Sequence, residues 1–147
     1  MEQARKRLKT SSIVVLILGG LTLLNILFEV FFGNLNDAVS PEGASATILL
    51  IVKILVLAVS LVLFLPQLYI GIKGLKMAKA PDSSKGHIVW GIILIVLGFV
   101  GLISPLTALI QGNGDALGNT SELLSIVVDI TVLIEYVSAA RAVRNGL

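Results

Sequence analysis

Four long apolar segments constrain this chain more than any other feature. They cover residues 12–33, 46–72, 87–110 and 120–140, and each reaches the roughly 20 residues that an α-helix needs to cross a hydrocarbon core of about 30 Å. The chain is also 56% hydrophobic and only 14% charged, which departs from the balance of soluble domains. The sequence therefore predicts an all-α membrane protein, a single-domain bundle of four transmembrane helices.

The lysine and arginine residues are distributed unevenly along the chain. Ten of the eleven flank the two termini or lie in a central loop expected at about residues 73–86, and only Lys53 lies within an apolar segment. Basic residues beside membrane spans are retained on the cytoplasmic side. We therefore expect both termini in the cytoplasm and a location in the plasma membrane. These short basic runs form no basic domain, so no nucleic-acid partner is expected.

A weak internal repeat relates the two halves of the chain. A shift of 79 positions aligns residues 13–19 with 92–98, and a shift of 76 aligns Lys53 with Asp129. Two interpretations stay open. The chain contains two copied hairpins related by an axis along the membrane normal, or segments rich in Leu, Ile and Val share residues by chance.

Apart from His87 and Glu122 at segment ends, four ionisable residues lie within the apolar segments, namely Glu29, Lys53, Asp129 and Glu135. Each costs about 2.5–3.5 kcal/mol on insertion scales, so each calls for a partner or a purpose. Counted from the estimated outer helix ends at about 1.5 Å per residue, Lys53 and Asp129 lie about 10 and 12 Å deep. The matched depths and opposite charges predict an ion pair between the second and fourth helices. Whether that pair is structural or functional stays open.

Two uncharged residues extend the candidate polar site. Gln67 follows Lys53 by fourteen residues on the same face of the second helix, and Asn25 precedes Glu29 by one turn on the first. Glu29 lies close to its helix end, where its side chain would reach the membrane interface. These residues predict a bundle with a partly polar centre.

Glu135 points away from the face that carries Asp129. We expect its carboxyl either to be protonated or to pair with Lys73 or Arg141, which lie toward the same side of the membrane. A role in proton-coupled transport is the less favoured interpretation.

A face of small residues distinguishes the third helix. Gly91, Gly98 and Gly101 lie on one side of it, and small residues let a neighbouring backbone approach closely inside a membrane. We interpret them as a helix-packing face.

Three lysines follow the second apolar segment, at Lys73, Lys76 and Lys79. They are candidates to bind anionic lipid headgroups, at about 1 kcal/mol per charge. The alternative is that they only enforce the orientation of the chain in the membrane.

Several chemistries find no support in the sequence. There is no cysteine, one histidine and no nucleotide-binding or metal-binding motif, so we expect neither an enzyme nor a cofactor or metal. The favoured function is an accessory, interaction or assembly subunit that binds itself or another membrane protein within the bilayer. The alternative is a small oligomeric transporter or channel whose polar path is lined by Lys53 and Asp129.

Overall fold

The computed structural model describes residues 2–32, 46–112 and 116–146. These residues form the helices α1 (Glu2–Phe32), α2 (Ala46–Lys79), α3 (Gly86–Gly101), α4 (Ile103–Gln111) and α5 (Ala116–Asn145). Helices α3 and α4 together make one long apolar stretch, so the described residues contain four helical spans long and apolar enough to cross a membrane, and no strand. The prediction of an all-helical chain with four helices long and apolar enough to cross a membrane is confirmed for the described residues.

Three helices extend well beyond the predicted spans at the positively charged side of the bundle, and one of them is α5, which ends at Asn145 instead of residue 140. Helix α1 begins at Glu2 instead of residue 12, because its first residues are mostly good helix formers. Helix α2 runs on to Lys79, so the loop expected at 73–86 shrinks to residues 80–85. Pro81 lies two residues after the last residue of α2 and opposes its continuation, and lysines in a last turn are favourable beside the free carbonyl groups.

The break between α3 and α4 has a local cause. Pro105 has no N–H group, so it cannot donate a helical hydrogen bond to the carbonyl of Gly101, where α3 ends. Helical hydrogen bonds continue on both sides of the break, since Leu102 N donates to Gly98 O at 3.1 Å and Leu106 N donates to Leu102 O at 3.2 Å. Pro66, by contrast, lies inside an uninterrupted α2.

The helices alternate in direction. Arg7 at the start of α1 contacts Glu135 in the second half of α5, and Gly74 near the end of α2 lies against Tyr136 of α5. We call this side of the bundle the basic end, which comprises the first halves of α1 and α3 and the second halves of α2 and α5. The opposite side is the connector end, where α1 and α4 finish and where α2 and α5 begin.

Close packing is concentrated at the basic end. Its largest fully buried side chains are Leu8, Ser12, Ile70, Met77, His87, Tyr136 and Val143. Among the described residues outside the basic end, the buried side chains are fewer: Leu94 and Ile130 lie near the middle of the bundle, and Val30 and Pro105 lie toward the connector end. The most apolar stretch of helix α2, 18 residues long, contains no buried residue. The bundle is therefore compact at one end and open at the other.

Candidate functional site

Lys53 lies in an open groove between α1 and α2 at the connector end. The groove has a volume of about 290 Å³, and the residues that line it besides Lys53 are apolar: Val30, Phe31, Leu50, Ile54 and Leu57. The lysine side chain is half-buried and forms no hydrogen bond or ion pair with any residue that the structure describes. The groove thus holds a single cationic group in apolar surroundings.

Glu29 lies at the level of that groove but on another side of α1. Two of the groove residues, Val30 and Phe31, follow it directly in the chain. Its carboxylate accepts a hydrogen bond from Asn25 Nδ2 at 3.1 Å, and both side chains are exposed. Asn25 and Glu29 thus bond to each other on an exposed face of α1, and not in the partly polar centre that the sequence predicts.

Asp129 lies closer to the middle of the bundle, beside Gln67. The two line a cavity of about 10 Å³, together with Val15, Leu18 and other apolar residues. That volume is about the room needed by one water molecule. Asp129 is half-buried and, within the described ranges, has neither a hydrogen bond nor an ion pair.

Gln67 lines both this small cavity and a larger one. The second cavity, of about 220 Å³, lies between α1 and α2 and is lined by Gln67, Thr22 and Ser60 among others. The Thr22 and Ser60 hydroxyls donate to carbonyls of their own helices. Gln67 approaches α1 closely because Gly19 has no side chain, and a Cβ at Gly19 would lie 2.6 Å from Gln67 Oε1. Sequence reasoning missed this role of Gly19.

The ion pair expected between Lys53 and Asp129 does not form in the structure. Asp129 shares its cavity with Gln67, which is fourteen residues from Lys53 and hence about 21 Å away along α2. The expected depths were counted from estimated helix ends. Helix α5 begins at Ala116 instead of residue 120, which places Asp129 about 20 Å from that end, while Lys53 lies about 10 Å from the start of α2.

Glu135 pairs with Arg7, instead of Lys73 or Arg141. Arg7 Nε and Nη2 donate to the two carboxylate oxygens at 2.7 and 2.8 Å, a bidentate geometry that links α1 to α5. Arg7 was expected to precede the first span, and the early start of α1 is what brings it level with Glu135.

The glycine face of α3 packs against α5 of the same chain. A Cβ added at Gly91 would lie 2.8 Å from Val137, and one at Gly98 would lie 2.8 Å from Ile130. At Gly101 the nearest atom is 3.9 Å away, on Ile126, so contact loosens toward the connector end. The surface at Gly91 and Gly98 is therefore already occupied within the chain.

The lysines at the end of α2 differ in their surroundings. Lys73 Nζ lies 2.6 Å from Asp82 Oδ2, and the other carboxylate oxygen accepts the Ser84 backbone N–H at 2.9 Å. These contacts, chiefly the one with Lys73, hold the pKa of Asp82 below its ordinary value. Lys76 and Lys79 lie along the surface and make no ion pair within the described part of the chain.

A buried polar contact at the basic end was not predicted. The Tyr136 hydroxyl donates to Ile70 O at 2.8 Å and so joins α5 to α2. His87 of α3 packs against the Tyr136 ring edge-on, with centroids 6.2 Å apart. Gly74 leaves the space that the Tyr136 ring occupies. The sequence could not predict this contact, because nothing around a single tyrosine in an apolar helix indicates which backbone carbonyl its hydroxyl will bind.

No protein-family model, curated protein sequence or solved structure matches the chain. Across the described residues, no three histidine or acidic side chains are grouped so that they could hold a metal ion. The candidate site is therefore defined by its geometry alone: a half-buried lysine in an open groove between α1 and α2, with a separate aspartate deeper in the bundle.

Proposed function

We propose that this protein is a membrane-embedded assembly subunit without catalytic activity, which binds another transmembrane segment at the Lys53 groove. The observation that carries the proposal is the lysine itself. A cationic group within a span costs about 2.5–3.5 kcal/mol on insertion scales unless something compensates it. Lys53 makes no polar contact with a described residue of its own chain, so a partner that supplies a carboxylate at this depth would offset that cost.

The shape of the groove supports the same role. It is open toward the surface of the bundle, and its lining is apolar apart from Lys53. Phe31 and Leu50 on its two walls are largely exposed. A transmembrane helix that lies in the groove would cover these walls and place one acidic side chain beside the lysine, which gives both packing and specificity.

The chain would lie in the membrane with both termini in the cytoplasm, most simply in the plasma membrane. Ten of the eleven basic residues lie at the basic end, which supports this orientation. Because the chain has no cysteine, single cysteines at Ser83 and Ser121 test it directly. A membrane-impermeant maleimide applied to intact cells should label the cysteine at 121 and spare the one at 83, and the opposite pattern would contradict the orientation.

The transporter or channel alternative needs a polar path between the two charged residues. Lys53 lies about 21 Å along α2 from Gln67, which lines the Asp129 cavity. The cavity of about 220 Å³ lined in part by Thr22, Ser60 and Gln67 occupies part of that interval, but the groove around Lys53 is apolar apart from the lysine. This separation favours the assembly role. If Lys53→Met and Asp129→Leu together abolished an ion or solute flux while the protein folded normally, the alternative would replace the proposal.

The test of the assembly role is particle mass. The tagged chain is purified in mild detergent from its native membrane as wild type, as Lys53→Met and as Lys76→Met, and each particle is weighed by native mass spectrometry. Lys76 is the matched control because it is an exposed lysine of the same helix. We expect wild type and Lys76→Met to retain additional chains and Lys53→Met to lose them. A single chain in all three preparations would reject the assembly role.

A further inference from the structure

Lys53 and Glu29 lie at the same level of the bundle. Lys53 shares its groove with Val30 and Phe31, which follow Glu29 by one and two residues, or about 1.5 and 3 Å along the helix axis. The carboxylate of Asp129 is far from this level because Asp129 lies beside Gln67. Glu29 is therefore the carboxylate on α1 whose depth matches that of the lysine.

The two side chains nevertheless lie on different sides of α1. Residues two apart in an α-helix point about 200° away from each other. Phe31 lines the groove, so Glu29 points away from it, which agrees with its exposure and with the absence of a Lys53–Glu29 ion pair among the described residues. A lysine on one side and a glutamate on the other cannot satisfy each other within one chain in this arrangement.

Copies of one chain that share an orientation in the bilayer have their corresponding residues at the same depth. The Lys53 of one copy is then level with the Glu29 of its neighbour. We propose that the partner at the groove is a second copy of this chain, whose Glu29 binds Lys53. This inference rests on the assembly role proposed above and names its partner.

The surface around Glu29 is suited to enter the groove. Phe28 and Phe32 flank Glu29 on α1, their rings lie 5.2 Å apart, and both are largely exposed. In a neighbouring copy they would cover the apolar walls of the groove, including Leu50 and Ile54, while Glu29 reaches the lysine. Charge and apolar surface are thus complementary between the two sides of the same molecule.

The contact is head-to-tail, because different surfaces of the chain meet. A contact of this kind repeats from copy to copy and closes into a ring when its rotation axis lies along the membrane normal. Asn25 already donates to the Glu29 carboxylate, which orients the carboxylate and leaves its other oxygen for the ammonium group. The expected assembly is a small ring of parallel copies.

The test is a zero-length cross-link between natural side chains. Unlabelled and ¹⁵N-labelled chains are mixed in detergent, reconstituted together into vesicles and treated with dicyclohexylcarbodiimide, which joins a lysine to a carboxylate without a spacer. We expect linked Lys53–Glu29 peptides that combine one labelled with one unlabelled partner. The linked product should disappear in Glu29→Gln and persist in Glu122→Gln, an exposed glutamate of α5 that serves as control.

A charge exchange provides an independent readout in the same vesicles. Lys53→Glu alone should reduce the particle to one chain, and Lys53→Glu with Glu29→Lys should restore the ring, since each pair is re-formed with the charges reversed. Linked peptides of only one isotope, no linked product, or no recovery in the exchanged variant would overturn the inference. If wild type still carries a different protein that Lys53→Met loses, the assembly role stands and only the second copy is rejected.

Discussion

At the basic end the helices pack closely and Tyr136 and Glu135 have polar partners within the chain, although both ring nitrogens of the fully buried His87 have none; at the connector end the packing is open and the half-buried Lys53 has no polar partner among the described residues. Tyr136 donates to the Ile70 carbonyl and Arg7 holds Glu135 through two hydrogen bonds. Lys53 lies in an apolar groove with no such contact from a described residue. Packing, and not the pairing of polar groups, therefore distinguishes the two ends, and the open apolar surface around Lys53 is what suggests a partner.

The difference in packing predicts a large contrast between two leucines of α1. Leu8 is fully buried and Leu24 is 63% exposed. Leu8→Ala should lower the free energy of unfolding by about 2–5 kcal/mol, because it leaves a cavity in the compact end. Leu24→Ala should stay within about 0.5 kcal/mol. Titration of purified protein with SDS in mixed micelles, followed by circular dichroism, measures both. Equal losses would show that the two ends are equally packed.

Two glycines extend the contrast to backbone approach. A side chain at Gly74 would overlap Ser12 and the Tyr136 ring, whereas a Cβ at Gly20 meets nothing within 4 Å. Gly74→Val should destabilise the protein by about 1–3 kcal/mol through overpacking. Gly20→Val is the matched control and should be close to neutral in the same SDS titration. A neutral Gly74→Val would mean that α2 and α5 are not in close contact.

The hydroxyl of Tyr136 should make a smaller contribution. Tyr136→Phe removes the 2.8 Å hydrogen bond to Ile70 O and should cost about 1 kcal/mol. Tyr69→Phe is the control, since Tyr69 is 43% exposed. If both variants unfold at the same SDS concentration as wild type, the Tyr136 hydroxyl does not join the helices as described.

The pair between Lys73 and Asp82 should show the smallest effect, confined to low pH. The pKa of Asp82 is lower in the folded protein than in the unfolded chain, where it is about 3.9. The stabilisation is therefore complete above that value and is lost as the pH falls through the lower, folded pKa. Wild type should unfold at a higher temperature than Asp82→Asn at about pH 6, and the two should converge as the pH falls through the lowered pKa of Asp82 in the folded protein. A difference that grows toward low pH would contradict this assignment.

The sequence was informative where membrane physics acts on single helices. The lengths of the apolar segments predicted four spans, and the spacing of Gly91 and Gly98 placed both on one face, which packs against α5. It was not informative about register between helices. Glu135 meets Arg7, and Asp129 lies beside Gln67 far from Lys53, because the helices extend by unequal amounts beyond the apolar segments. The periodicity of residues within one helix shows which of them share a face, but it does not show how far that helix is shifted along its axis relative to a neighbouring helix.

The central claim is that another polypeptide covers the Lys53 groove, and lipid contact at Phe31 tests it most directly. Trp90 is the sole tryptophan, so Phe31→Trp in a Trp90→Phe background reports on the groove alone, with Leu124→Trp as a lipid-facing control because Leu124 is 68% exposed. In vesicles of brominated phospholipid, we predict weak quenching at position 31, strong quenching at 124, and strong quenching at 31 once Lys53→Met is added. Equally strong quenching at position 31 with and without Lys53 would show that lipid fills the groove and would contradict the account.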